Sequence, residues 1–280
     1  MLSQIFSRPA AARSWTSLAA RAPTGYTCAP SRRHQSSTNA DPTAQAPAGH
    51  PKPEPVPVAF PPDLPSHYRA QIGHFRNVIT PAEHDFLVDL CRRKLKRAPF
   101  LNAHFDKVIS GYREQSVSHW RVGVGEIAEE NDKRARAILD RCRAILAEAV
   151  GSKDRADHVG GIQWLPEHIL ELNADGTIGA HVDHLTASGS IVAALSLVSP
   201  TPIVFQHTKR PGWTIELTAE PSSLYFQCDD LRYDFTHAVP KPSGQGRISV
   251  MFRDKHLGPT KGECASGGMS DSASMGSSLS

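Results

Sequence analysis

His181-Val182-Asp183, His237, Arg247 and Arg253 are the residues of this chain whose types and order can do chemistry. Two imidazoles and one carboxylate hold one face of a ferrous ion and leave its remaining positions open to reacting ligands. Arg247 and Arg253 can grip a small dicarboxylate beside such a metal, because a planar guanidinium fork matches a carboxylate better than an ammonium does. Taken alone, such a triplet is more often a pair of surface polar residues than a pair of ligands. The chain has 14 histidines, and a second triplet, His104-Phe105-Asp106, has no strand-like surroundings and no paired arginines.

These residues need strands to hold them. Past about residue 160 the apolar pattern takes a period of two. The expected strands are Ile162–Leu172, Ile178–Asp183, Ser190–Ser199, Ile203–His207, Trp213–Thr218, Ser223–Gln227, Tyr233–Val239 and Ile248–Phe252. Asp175-Gly176 reads as a hairpin turn between the first two. Residues two apart on a strand share a face. His181 and Asp183 therefore point together, and Arg247, Ser249, Met251 and Arg253 share a face opposite Ile248, Val250 and Phe252. The two arginine stems stand about 20 Å apart along such a strand, so they meet one ligand only by leaning together. Tyr225, on a neighbouring strand, can donate its hydroxyl to the same carboxylate.

Upstream the period is helical. Thr80-Pro81-Ala82-Glu83 carries an N-cap, a first-turn proline and a capping-box glutamate. A second helix is expected over Asn131–Val150 from the spacing of Ile138, Leu139, Cys142, Ile145 and Leu146. Helices followed by many short strands predict an α+β, mainly β fold, a jelly-roll barrel with helices packed on one sheet.

The ends read differently. Residues 1–40 carry five arginines and no acid, the composition of a mitochondrial presequence. Without them the net charge falls from +3 to −2, so strong non-specific nucleic-acid binding is not predicted. Residues 41–65 hold nine prolines and read as a linker, and 255–280 as a flexible tail, leaving 66–254 as the folded domain. The five cysteines form no C-x-x-C pair, so neither a zinc ribbon nor a dithiol redox motif is supported. The longest apolar run, Ile191–Val198, is too short to span a bilayer, so no transmembrane segment is expected. A monomer is expected.

With His181-x-Asp183, His237 and Arg247-x5-Arg253 in order, and with Gly111-Tyr112-Arg113-Glu114 and Arg232-Tyr233-Asp234-Phe235-Thr236-His237 beside them, the sequence resembles the AlkB-like iron(II)/2-oxoglutarate dioxygenases. Within that family it is similar to a mitochondrial member linked to programmed necrosis and fatty-acid metabolism. The resemblance spans roughly residues 70–254 and implies a double-stranded β-helix in the mitochondrial matrix. It implies His181, Asp183 and His237 as iron ligands, with 2-oxoglutarate and O2 as co-substrates. Arg247, supported by Tyr225 and with Ser249 on the same face, would hold the distal carboxylate, and Arg253 would lie near the carboxylate that binds iron; the division between the arginines stays open. Many relatives carry Asn-x-Tyr where this chain has Leu170-Glu171-Leu172. No basic, aromatic nucleotide lid is visible. The expected activity is hydroxylation of a protein or metabolite. The alternatives are demethylation of mitochondrial RNA and, in another class, a non-catalytic interaction protein that retains the barrel.

Overall fold

A computed structural model describes residue 50 and residues 52–103, 108–151, 161–241 and 246–255. The expected presequence, the His104-Phe105-Asp106 triplet and the tail beyond residue 255 lie outside these. The described chain runs β1 (Glu54–Pro55), α1 (Ser66–Arg69), β2 (Ile72–Arg76), α2 (Pro81–Leu95), β3 (Ile109–Val117), α3 (Glu126–Ala149), β4 (Glu167–His181), β5 (Ile191–Leu197), β6 (Thr201–His207), β7 (Thr214–Ala219), β8 (Ser223–Cys228), α4 (Asp229–Asp234), β9 (Phe235–Val239) and β10 (Arg247–Arg253).

Helix α2 starts where its sequence says. The Thr80 hydroxyl accepts from the Glu83 amide, and the Glu83 carboxylate accepts from the Thr80 amide. Helix α3 begins earlier than expected, at Glu126 rather than Asn131. Its first turn carries Glu126 and Glu129, which suit a helix N-terminus electrostatically but leave no apolar period to read.

All ten strands join one antiparallel sheet, in the order β1-β2-β8-β5-β10-β4-β9-β6-β7, with β3 also on β4. The sheet rolls into a jelly roll and makes two cores. On its outer face, Ile248, Val250 and Phe252 pack with Leu87, Leu90, Leu95, Ile138, Leu139 and Leu146 of the two long helices. On its inner face, Tyr112, Leu170 and Leu172 meet Ile203, Phe205, Ile215 and Phe235 from the opposite half. Burying a side chain of this size contributes about 1.5–3 kcal/mol. The α+β, mainly β architecture with helices on one sheet therefore holds.

Three expectations need correction. Asp175-Gly176 is not a hairpin: β4 continues through it to His181. Asn173–Gly176 bulge opposite Gly111, and β4 changes partner there from β10 to β9. The glycine serves close approach, since a Cβ on Gly176 would stand 2.7 Å from the Gly111 carbonyl oxygen. Strand β3 was not expected, because its residues are mostly polar and show no apolar alternation; the buried ones, Tyr112 and Val117, lie on opposite faces. Its Arg113 pairs with Glu171 at 2.6 Å on the helix-facing side of the sheet. Finally, the described part of the expected linker is packed. Glu54–Pro55 pairs with β2, and Leu64 is buried in the inner core. Proline is tolerated at such a sheet edge because it has no amide to pair.

No described helix is long and apolar enough to cross a membrane. Cys91 and Cys142 are buried thiols in no disulfide.

Candidate active site

The register of β4 on β9 builds the site. Ile178 pairs with Val239 but His181 pairs with His237, so β4 carries one extra residue between them. Without that bulge His181 would face Thr236, because a one-residue slip turns a side chain to the other face of the sheet. With it, the imidazoles are cross-strand neighbours, their centroids 4.3 Å apart.

Asp183 departs from expectation. It lies beyond the end of β4 in irregular chain, because the pairing with β9 stops at His181. Its carboxylate still closes the set: Oδ1 is 3.2 Å from His181 Nε2 and 3.6 Å from His237 Nε2. Ligand atoms of the three residues lie within 4.8 Å of one another, the one such group among the described residues.

The donor set fits a divalent metal. His181 Nδ1–H donates to the Gly179 carbonyl at 2.9 Å, which orients the ring with Nε2 toward Asp183, where a metal would take the place of the Nε2 proton. Burial pushes the His237 pKa down to about 4, against an opposing pull from Asp183, so this imidazole is neutral at physiological pH. Burial pushes the Asp183 carboxyl up, but the hydrogen bond from His181 and the charges of His237, His181 and Arg232 outweigh it and hold the group below the usual carboxylate range. Asp183 Oδ2 is buried without a hydrogen-bond partner. A cation satisfies that orphaned oxygen, and an empty apolar pocket does not.

A narrow cavity of about 40 Å³ runs from His237 to Arg247, past Tyr225, Gln227, Ser249, Met251 and Leu170. Arg247 is 2% exposed. It donates from Nη2 to the Tyr225 hydroxyl at 3.1 Å, and its Nε has no partner. Thus Arg247, Ser249 and Tyr225 are brought together as their alternation predicts. Arg253, at the far end of β10, is not among the residues lining this cavity. Leu170 occupies the wall and Glu171 faces outward to Arg113, which is how the Leu-Glu-Leu departure is accommodated.

Comparisons with known proteins identify the family. The mitochondrial alpha-ketoglutarate-dependent dioxygenase alkB homolog 7 of Bos taurus is 33% identical over 196 residues, covering 66% of this chain and 79% of that protein. Its Mus musculus counterpart is 31% identical over 198 residues, with 66% and 80% covered. The chain belongs to the AlkB-like α-ketoglutarate-dependent dioxygenases, in their mitochondrial branch. No family model matches it. Among solved structures, a Pseudomonas putida prolyl-4-hydroxylase aligns at TM-score 0.47 and 14% identity, covering 67% of this chain and 94% of that one. A Trichoplax adhaerens prolyl hydroxylase, solved with a hypoxia inducible factor peptide fragment, aligns at 0.49 and 10% identity, covering 66% and 84%.

For an AlkB-like enzyme, two further residues of this site carry weight that the sequence reading did not give them. The Gln227 side-chain amide lies 3.2 Å from His237 Nδ1, and Arg232 is buried against the Asp183 segment. The β8 alternation could have found Gln227, since it shares a face with Tyr225. Nothing local marks Arg232, because its partners are backbone carbonyls.

Proposed function

We propose that this chain is a mitochondrial-matrix, iron(II)- and 2-oxoglutarate-dependent dioxygenase that hydroxylates a protein or other mitochondrial substrate. We attach to it a role in programmed necrosis and fatty-acid metabolism, on the family resemblance alone. The enzyme class and its cofactors, iron(II), 2-oxoglutarate and O2, follow from the family. The supporting observation is the buried cavity that joins His237 to Arg247, Tyr225 and Ser249, with orphaned polar atoms at both ends.

In this reading His181 Nε2, His237 Nε2 and the Asp183 carboxylate hold the iron. Iron(II) held there would supply the chemistry that couples reduction of O2 to oxidative decarboxylation of 2-oxoglutarate. The chain's own residues supply position. Arg247 turns its free Nε, and the Tyr225 hydroxyl its proton, toward the distal carboxylate, while Ser249 offers a hydroxyl on the same wall. Because Arg247 lines the cavity and Arg253 does not, Arg247 is assigned the distal carboxylate. Leu170, Ile178, Val192 and Phe205 make the rest of the wall apolar and exclude water.

The test is 2-oxoglutarate-dependent succinate formation by anaerobically purified protein given iron(II), with and without mitochondrial extract. Turnover that disappears in His181→Ala is expected. Absence of succinate under every condition sinks the enzyme reading in favour of a scaffold, and RNase-sensitive stimulation by extract moves the substrate from protein to RNA.

A further inference from the structure

Asp183 has no strand to hold it. The chain from Val182 to Gly189 forms no ladder with any neighbour, yet the carboxylate must stand within a few tenths of an ångström of its place for a metal to bind. One side chain supplies the missing constraint. Arg232 is 1% exposed. It donates from Nη1 to the Asp183 carbonyl at 3.2 Å, from Nη2 to the His184 carbonyl at 3.0 Å, and from Nε to the Gly189 carbonyl at 3.2 Å. Nη2 also reaches the Ser188 hydroxyl at 3.4 Å. The guanidinium thus spans both ends of the segment that carries the carboxylate.

Among the described residues Arg232 makes no direct ion pair, and its charge is balanced at longer range by Asp183 and Asp254. Burying a cation on neutral carbonyl and hydroxyl oxygens is costly compared with an apolar residue of the same volume. The position in the chain explains what this cost achieves. Arg232 sits in α4, which leads directly into β9 and His237. It therefore ties the segment bearing one predicted ligand to the element bearing another.

We propose that Arg232 is a positioning residue for the metal centre: its five-donor fork fixes the Asp183–Gly189 segment relative to His237, so that Asp183 is preset for metal. A lysine at this place keeps the charge but offers one nitrogen and cannot bridge Asp183, His184 and Gly189 together. A glutamine loses the charge and reaches one carbonyl. Outer partners that orient ligands typically govern 10–100-fold in metal affinity.

The inference rests on the metal reading of His181, Asp183 and His237, and the experiment separates the two. Manganese(II) affinity is measured by electron paramagnetic resonance on metal-stripped wild type, His237→Ala, Arg232→Lys and Arg232→Gln. Hydrogen exchange is followed on the metal-free forms. Wild-type binding abolished in His237→Ala supports the site; no wild-type binding overturns the site reading itself. Given wild-type binding, Arg232→Lys is expected to weaken manganese at least tenfold, with faster exchange confined to residues 183–189 and barrel strands still protected. Affinity within twofold of wild type in both Arg232 variants overturns the proposal. Exchange raised evenly across the barrel, or loss of the fold in both, assigns Arg232 to folding and overturns it as well.

Discussion

Arg247 donates from Nη2 to the Tyr225 hydroxyl at 3.1 Å while its buried Nε is left without a partner. A buried guanidinium with an orphaned N–H costs about 1–3 kcal/mol until something accepts from it, and the cavity beside it is where a carboxylate would do so. Arg247→Met should raise the KM for 2-oxoglutarate about 100-fold or more, because a charge-assisted bidentate contact is lost. Tyr225→Phe removes one neutral donor and should raise it only about five- to tenfold. Succinate release at varied 2-oxoglutarate measures both. Equal effects from the two variants would contradict the assignment of the carboxylate to Arg247.

Gln227 poses a similar question at the other end of the cavity. Its Nε2 faces His237 Nδ1 at 3.2 Å, and its Oε1 is buried without a partner. A half-turn of the amide reverses this. Oε1 then accepts from Nδ1–H, and His237 Nε2 is freed for metal. Gln227→Leu should therefore weaken manganese(II) binding about tenfold, whereas Gln227→Glu, which keeps an acceptor, should retain or tighten it. Calorimetric titration of the two variants decides the point. Equal losses would mean that the amide only fills space.

These relationships mark the limit of what the sequence carried. Alternation along β10 separated Arg247, Ser249 and Met251 from Ile248, Val250 and Phe252, and the structure keeps that division. The capping box of α2 was equally legible, since its geometry is local. What failed was non-local. Asp175-Gly176 has the chemistry of a hairpin turn, but β4 has partners on both sides of the pair, and the backbone freedom is used for a bulge. The bulge that turns His181 toward His237 depends on register between strands far apart in sequence. Arg232 was invisible as a functional residue because carbonyl acceptors have no residue type.

Acidification should destabilise the metal-free barrel in a defined window. Unfolded, His237 takes a proton near its ordinary value of 6.5; folded, burial holds its pKa at about 4. Between these values the unfolded state binds more protons, so stability falls as pH drops from about 6.5 and this contribution levels off near 4. The loss amounts to about 3 kcal/mol. His74, whose pKa burial also lowers, acts in the same direction. Asp183, held below the carboxylate range, adds its own loss only below about pH 4. Urea melts at pH 7.5, 5.5 and 4.5 check this, and His237→Gln should flatten the upper part of the curve. A wild-type stability independent of pH over that range would refute it.

Gly189 tests how tightly the segment after Asp183 is pinned. Its carbonyl accepts from Arg232. A Cβ there would stand 2.3 Å from Asp254 Oδ2, the carboxylate that accepts from the Ser190 and Ile191 amides at 3.1 and 2.8 Å. Alanine must push that carboxylate away and leave the start of β5 short of acceptors, at a cost of about 2–3 kcal/mol. For a domain of this size that is a fall in Tm of roughly 4–10 °C. Because Asp183 lies on the same pinned segment, manganese(II) affinity should fall with it. Calorimetry with and without manganese separates the effects: a Gly189→Ala protein that melts within a degree of wild type would show that the contact relaxes freely.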